Sequence, residues 1–352
     1  TAKFFAGEYS AKQRSSHSIL YGWLLSPFVK ISGSFFLIKL GSVFWIILTI
    51  VSIYHISGKN RKTLLLFVLS PFIWYMAPWL NPVPIVGFLF LWAYYFIRKF
   101  EMRGKLRDLI YCGLLLGLSI GFWDTALYFS ILFLISFFYN KRFYLVWIVG
   151  FSVLVGLIPK LLIDLVYYGV PVYGIAKNFL ALISFALHGG IYNPIYDIPG
   201  IKNYLILLPF IPFYFYLIYR RNHFIREKGA CIFLTLSLLF ILLLNPQIRV
   251  LLAIMPILIL FLGNLISNRQ FKRQSIIFVI LSVLVISPYL VQVNNDINAR
   301  NFEKFLAKFP NIEINDTVIG VLITKDLEDV EKDYPGESFV VGSRRDDYRI
   351  LA

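Results

Sequence analysis

Only seven carboxylates, Glu8, Glu101, Asp108, Asp124, Asp164, Asp197 and Glu227, occur in the first 292 positions of this 352-residue chain, whose Asp and Glu total 19. Between them run apolar segments close to the roughly 20 residues that a helix needs to cross a bilayer. With 59% of residues hydrophobic and 18% aromatic, the pattern implies an all-α polytopic membrane protein, because helices satisfy their own backbone polar groups in lipid. About ten transmembrane helices are expected, at 35–56, 63–79, 82–98, 109–122, 125–139, 143–167, 204–219, 229–245, 248–266 and 275–292. Several fall below about 17 residues, which suits tilted pairs or half-helices that meet inside the membrane.

Basic residues orient the segments, since Lys and Arg in short loops favour the cytoplasmic side. They cluster at Lys59, Arg61 and Lys62, at Arg98 to Arg107, at Lys141 and Arg142, at Arg220 to Lys228, and at Arg269 to Arg273. These are alternate loops. The intervening turns, Asn81-Pro-Val-Pro84, Gly121-Phe-Trp-Asp124 and Asn245-Pro-Gln-Ile-Arg249, carry a single Arg among them. That assignment leaves residues 1–34, the loop 168–203 and residues 293–352 outside, flanking a bundle over 35–292. The location expected is a cell membrane, or the endoplasmic reticulum with a lumenal site if the source is eukaryotic.

The formal charge of +15 does not point to nucleic acid. After Val293 eight Lys/Arg face 12 acids, so the excess belongs to the bundle's loops, where anionic lipid headgroups are the natural partners. Cys112 and Cys231 both fall in apolar segments, which suits packing and implies no disulfide framework. The chain starts at Thr1 with a polar segment and no signal peptide. An earlier helix upstream is expected, to deliver residue 1 to the outer side.

In the first external segment Ile19, Leu20, Trp23, Leu24 and Phe28 recur at helical spacing, which predicts an amphipathic helix on the outer membrane face. A second external excursion at 168–203 holds an apolar stretch at 175–187 that suits a re-entrant or interfacial helix. The tail reads as a small α/β domain with a helix around 299–308, strands around 318–323 and 338–341, and a sequon at Asn315-Asp-Thr317.

Glu101, Asp108 and Glu227 lie among the cytoplasmic Lys/Arg and read as surface ion-pair partners. The other four acids all map to the external side or the outer half of a span, where carboxylates are costly. Glu8, in Phe4-Phe-Ala-Gly-Glu-Tyr9, suits a general base or a metal ligand, and equally an exposed loop acid or helix cap. Asp124 reads as the N-cap of the segment starting at Thr125, or as a site acid. Asp164 follows Lys160 at i,i+4 and reads first as its ion-pair partner. Asp197, in Tyr192-Asn-Pro-Ile-Tyr-Asp-Ile-Pro199, reads as a turn acid or a catalyst. Arg249 suits a phosphate ester, which a guanidinium grips bidentately, or a snorkelling role at the interface. His188, before Gly189 and Gly190, suits a phosphate or a sugar hydroxyl, or neither. His17, His55, His188 and His223 show no metal-ligand spacing, and no Gly-rich phosphate loop is present.

The arrangement resembles the GT-C class of integral membrane glycosyltransferases, which use polyprenyl- or dolichyl-phosphate-linked sugars on the outer or lumenal face, and its mannosyltransferases in particular. The residues that carry the resemblance are Glu8-Tyr9 with Tyr21-Gly-Trp-Leu-Leu-Ser-Pro27, Gly113-Leu-Leu-Leu-Gly-Leu-Ser119, the span from Pro159 to Tyr168-Gly-Val-Pro171, and Arg249-Val-Leu-Leu-Ala-Ile-Met-Pro256. The resemblance implies that Glu8 is the base and Arg249 contacts the lipid phosphate, with His188 as a further phosphate contact. Asp124, Asp197 and Lys160 are secondary candidates. Many members carry an Asp-Asp or Asp-Glu pair where this chain has a single acid.

The activity implied is transfer of a hexose such as mannose, with inversion, to a hydroxyl of a glycan, lipid or protein. These residues require no cofactor, and the chemistry is compatible with a divalent metal. The competing reading is a non-catalytic membrane protein, either a lipid-linked sugar flippase or transporter, or a GT-C-like assembly subunit. The transporter form predicts ionisable residues such as Lys39, Lys160 and Asp164 along a path through the bundle.

Overall fold

The structure, a computed structural model, describes residues 19–32, 35–71, 73, 82–138, 143–188, 227–243, 248–294, 340–344 and 347–351. They fall into two compact units, one ending at Val285 and the other beginning at Ile286.

In the first unit the described regular structure is helical. In chain order the helices are α1 (Ile19–Ser32), α2 (Phe35–Ile56), α3 (Arg61–Val68), α4 (Val83–Arg103), α5 (Leu106–Phe122), α6 (Ala126–Phe138), α7 (Phe143–Tyr168), α8 (Tyr173–His188) and α9 (Lys228–Leu243). A 3-10 turn (Ile248–Ala253) then leads into α10 (Met255–Leu265) and α11 (Asn268–Asn294), whose residues from Ile286 on belong to the second unit. Two of these, α4 and α7, are long and apolar enough to cross a membrane. Helices occupy most of the expected apolar segments, while 204–219 lies outside the described residues.

The expected segment 248–266 is divided, and Pro256 supplies the reason. It occupies the first turn of α10, where its missing amide costs nothing, and the preceding residues take the tighter 3-10 form.

Helix α4 is central, with Val83, Ile85, Val86, Phe90, Ala93 and Ile97 almost fully buried. Pro84 lies in its first turn, and Gly104 ends it in the left-handed region at φ 66°. Its neighbour α5 returns antiparallel. The 3-10 turn packs so closely on α4 that a Cβ at Gly87 would lie 2.6 Å from the Leu252 carbonyl oxygen. Phe90, Phe129, Phe133 and Phe233 join α4, α6 and α9 in an aromatic cluster with adjacent centroids 5.2–6.4 Å apart.

Lipid tails are as apolar as these side chains, so helix association rests on close packing and interhelical hydrogen bonds. The first is strongest between α5 and α7, where Gly113 and Gly117 face Ser152 and Gly156. A Cβ at Gly117 would fall on the Val153 carbonyl oxygen, and one at Gly156 on that of Leu114. The second joins α2 to α4, where Trp92 Nε1 donates to Ser52 Oγ at 3.0 Å.

Helix α1 differs from the expectation of a helix lying on the membrane face. Ile19, Leu20, Tyr21 and Leu25 are buried, and α1 packs on α2, α5 and α7 with only the opposite face, including Trp23, exposed. Tyr21 and Leu25 share a core cluster with Ile85 and Leu89 of α4. Cys112 and Cys231 are buried free thiols.

At the other end of α4, Arg98 Nη2 lies 2.7 Å from Glu227 Oε1, Arg98 Nη1 lies 2.7 Å from Glu101, and the Tyr94 hydroxyl donates to Glu227 at 3.3 Å. Asp108 lies 3.8 Å from Lys99 and is buried, not a surface acid as its surroundings in sequence suggest. Arg98 and Glu227 are only partly shielded from solvent, so Glu227→Gln is expected to cost only about 0.5–1 kcal/mol, read as a small fall in the thermal midpoint that shrinks at high salt.

In the second unit two strands, β1 (Val340–Arg344) and β2 (Asp347–Leu351), pair antiparallel with Val341 opposite Ile350 and Arg344 opposite Asp347. β1 overlaps the expected strand at 338–341. The expected helix at 299–308, the strand at 318–323 and the sequon lie outside the described residues.

Candidate functional site

The Asp124 end of the bundle gathers three buried charged side chains, Asp124, Lys160 and Asp164. Asp124 belongs to the turn between α5 and α6, while Lys160 and Asp164 lie one helical turn apart on α7, so their side chains share a face. Lys160 Nζ is 2.7 Å from Asp124 Oδ1 and 3.0 Å from Asp164 Oδ2. Lys160 and Asp164 are each 1% exposed and Asp124 8%. A lysine this deep is tolerable only when paired, and here two carboxylates share one ammonium.

Local sequence explains how the three meet. The glycines of α5 let α7 approach closely, which brings Lys160 beside the end of α5; a Cβ at Gly121 would be 3.6 Å from Lys160 Cβ and 3.1 Å from Leu20 of α1. The α5 helix stops at Trp123, whose amide bonds the Ser119 carbonyl. The next helix starts on backbone bonds, from Leu127 N–H to the Asp124 carbonyl and from Tyr128 N–H to that of Thr125. The Asp124 carboxylate is directed to Lys160, so the N-cap expectation gives way to a tertiary ion pair.

Helix α8 closes over this cluster. Gly174, in its first turn, hydrogen-bonds through its backbone to Asp164. A Cβ there would lie 2.8 Å from Lys160 Nζ and 3.2 Å from both Asp124 oxygens. Asn178 Nδ2 donates to Thr125 Oγ1 at 3.2 Å. The sequence did not single out Gly174 or Asn178, whose only signal was their place in the 168–203 excursion, and Thr125 stood out only as the start of a segment.

Of the residues chosen from sequence, Asp124 and Lys160 are brought together, and the i,i+4 pairing of Lys160 with Asp164 is present. Glu8 and Asp197 lie outside the described residues. Arg249 and His188 are placed by their backbone, Arg249 in the 3-10 turn and His188 at the last position of α8. That turn packs on the N-terminal half of α4, next to Gly87. Because α4 and α5 are antiparallel, the N-terminus of α4 and the Asp124 turn lie at the same end of the bundle, and Arg249 belongs to that end.

This arrangement of helices is the GT-C fold of membrane glycosyltransferases. The solved structures that match are of ArnT from Cupriavidus metallidurans, itself a GT-C glycosyltransferase. In the apo state it is 13% identical, with a TM-score of 0.54 over 78% of this chain and 55% of that one. Bound to undecaprenyl phosphate it is 14% identical, with a TM-score of 0.55 over 82% and 59%. At such identity the likeness is one of fold, and this chain spans between 55% and 59% of the length of those chains. No family model matches the sequence, and no curated protein matches it.

Proposed function

We propose that this protein is a GT-C glycosyltransferase that takes a sugar, a hexose such as mannose, from a polyprenyl-phosphate-linked donor and passes it to an acceptor hydroxyl at the Asp124 end. That end would face outward, as the basic loops at the opposite end favour. The observation that carries this reading is the GT-C fold shared with a protein seen bound to undecaprenyl phosphate, a polyprenyl phosphate. Its support within the chain is the gathering of buried charge and of the Arg249 turn at one end of the bundle.

In the reaction proposed, Glu8 takes the proton of the acceptor hydroxyl as its oxygen attacks the anomeric carbon. The bond from that carbon to the phosphate oxygen breaks on the opposite face, so the configuration inverts. The phosphate leaves with the electron pair, and Arg249 and His188 neutralise its growing charge. Asp124 and Lys160 shape the polar floor beside them, and Asp197 is a further external acid of the site. The bundle would carry about ten spans, with a small external domain after residue 293.

The test is release of labelled sugar from polyprenyl-phosphate mannose and glucose by the full-length protein in lipid. Turnover by the wild type that falls about a hundredfold in both Glu8→Gln and Arg249→Ala is the expected result. Folded wild type that turns over neither donor would move the reading to a lipid-linked sugar flippase or an assembly subunit.

A further inference from the structure

Three features lie outside the roles assigned above: the exposed apolar face of α7, the basic start of α11, and the seating of α8 on the Asp124 cluster. The first two are what any helix facing lipid and any loop beside headgroups would show. The third joins α8 to the buried charges of the bundle. The α8 side chains Phe179, Leu180 and Ile183 are exposed, and among the described contacts the helix touches the bundle through Gly174, Asn178 and the tilted ring pair of Tyr173 and Tyr168, with centroids 4.2 Å apart.

We propose that Lys160 is a positioning residue of the site: clamped by Asp164 on its own helix, it fixes the Asp124 carboxylate at the bundle end and, through Gly174, seats α8 against both. The geometry supports each part. Asp164, one turn along α7, lies 3.0 Å from the ammonium that Asp124 meets at 2.7 Å, so two carboxylates hold Lys160 and its long stem loses its freedom. A Cβ at 174 would enter the space beside the Lys160 ammonium and the Asp124 carboxylate, so a side chain there must displace the cluster for the helix to come down this far. Asp164 in turn receives the Gly174 backbone, which makes the lysine clamp and the helix seat one network. The seat also fixes the start of the helix that ends in His188. The catalytic consequence rests on the glycosyltransferase reading; the seating of α8 does not.

The two are separated by measuring both on the full-length protein in lipid. Thr125→Cys with Asn178→Cys replaces a pair of side chains in hydrogen-bond contact, and a short bis-thiol-reactive cross-linker should join them efficiently, with each single cysteine variant as control. Adding Lys160→Met is expected to lower the cross-linked fraction at least fivefold, and Lys160→Arg to restore most of it. Where Lys160→Met is not recovered folded, Gly174→Ala reads the seat from the other side, since its methyl group enters the space beside the ammonium. In the donor assay Lys160→Met should lose at least tenfold in kcat with KM within about threefold, a loss that Lys160→Arg partly recovers.

Cross-linking that stays unchanged in folded Lys160→Met or Gly174→Ala overturns the proposal, whatever the turnover. A lost seat with unchanged kcat overturns the positioning role. Cross-linking that responds as expected, in a protein whose wild type releases sugar from no donor, upholds the seat and removes the glycosyltransferase reading instead.

Discussion

Gly117→Leu should prevent the bundle from assembling in its native form. A Cβ at this position falls on the Val153 carbonyl oxygen, and its next neighbours, the Cα and C of Gly156, are both 2.9 Å away. These are backbone atoms of a helix, so no rotamer change relieves the contact, and the whole of α7 must move. Overpacking against side chains typically costs about 1–3 kcal/mol; against backbone the upper end or more is expected. Gly156 meets the Leu114 carbonyl oxygen from the other helix, so Gly156→Leu should fail in the same way. Gly150 on the same α7 has nothing within 4 Å of its added Cβ, and Gly150→Leu should be recovered like the wild type. The measurement is the monodisperse fraction on size exclusion after detergent extraction. Equal recovery of the 117 and 150 variants would show that α5 and α7 do not meet through their glycines.

That interface shows where sequence is informative and where it stops. The run Gly113-Leu-Leu-Leu-Gly-Leu-Ser119 announces a close helix contact, because small residues four apart share a face. It does not say which helix arrives, since the partner positions Ser152 and Gly156 lie over thirty residues away and every candidate helix is apolar. Most of the described helices were legible as apolar runs. The inward packing of α1 was not, because an amphipathic pattern reports one apolar face without saying whether lipid or protein covers it.

The charges follow the same rule. The pairing of Lys160 with Asp164 is a local i,i+4 relation and was readable. The arrival of Asp124 at 2.7 Å depends on how α5 packs against α7, and no spacing in the sequence encodes it. Gly174 was silent for a related reason: its importance lies in the side chain it lacks, beside groups brought in by two other elements. For Arg249, sequence gave a solitary cation next to a Pro-bearing turn, and the fold adds the end of the bundle to which that turn belongs.

The energetic role of the cluster yields the second large effect. Lys160→Met should destabilise the folded protein by about 3–5 kcal/mol, because it leaves two carboxylates in a buried space without their shared cation. Asp164 is 1% exposed and Asp124 8%, so water cannot replace the ammonium without opening the packing of α8. The loss measures the penalty of unpaired charge, not the net worth of the ion pairs, and a neutral version of the cluster separates the two. The triple variant Asp124→Asn, Lys160→Met and Asp164→Asn keeps the side-chain volumes close to native and removes every charge. Since forming a buried ion pair gains little over its desolvation cost, the triple variant should regain most of the stability that Lys160→Met alone loses. Thermal unfolding in detergent decides between the alternatives. A triple variant less stable than the single one would mean that the ion pairs themselves hold α7 to the Asp124 turn. The expected order, wild type close to triple and both well above single, would mean that the charges persist for the geometry they impose at this end of the bundle.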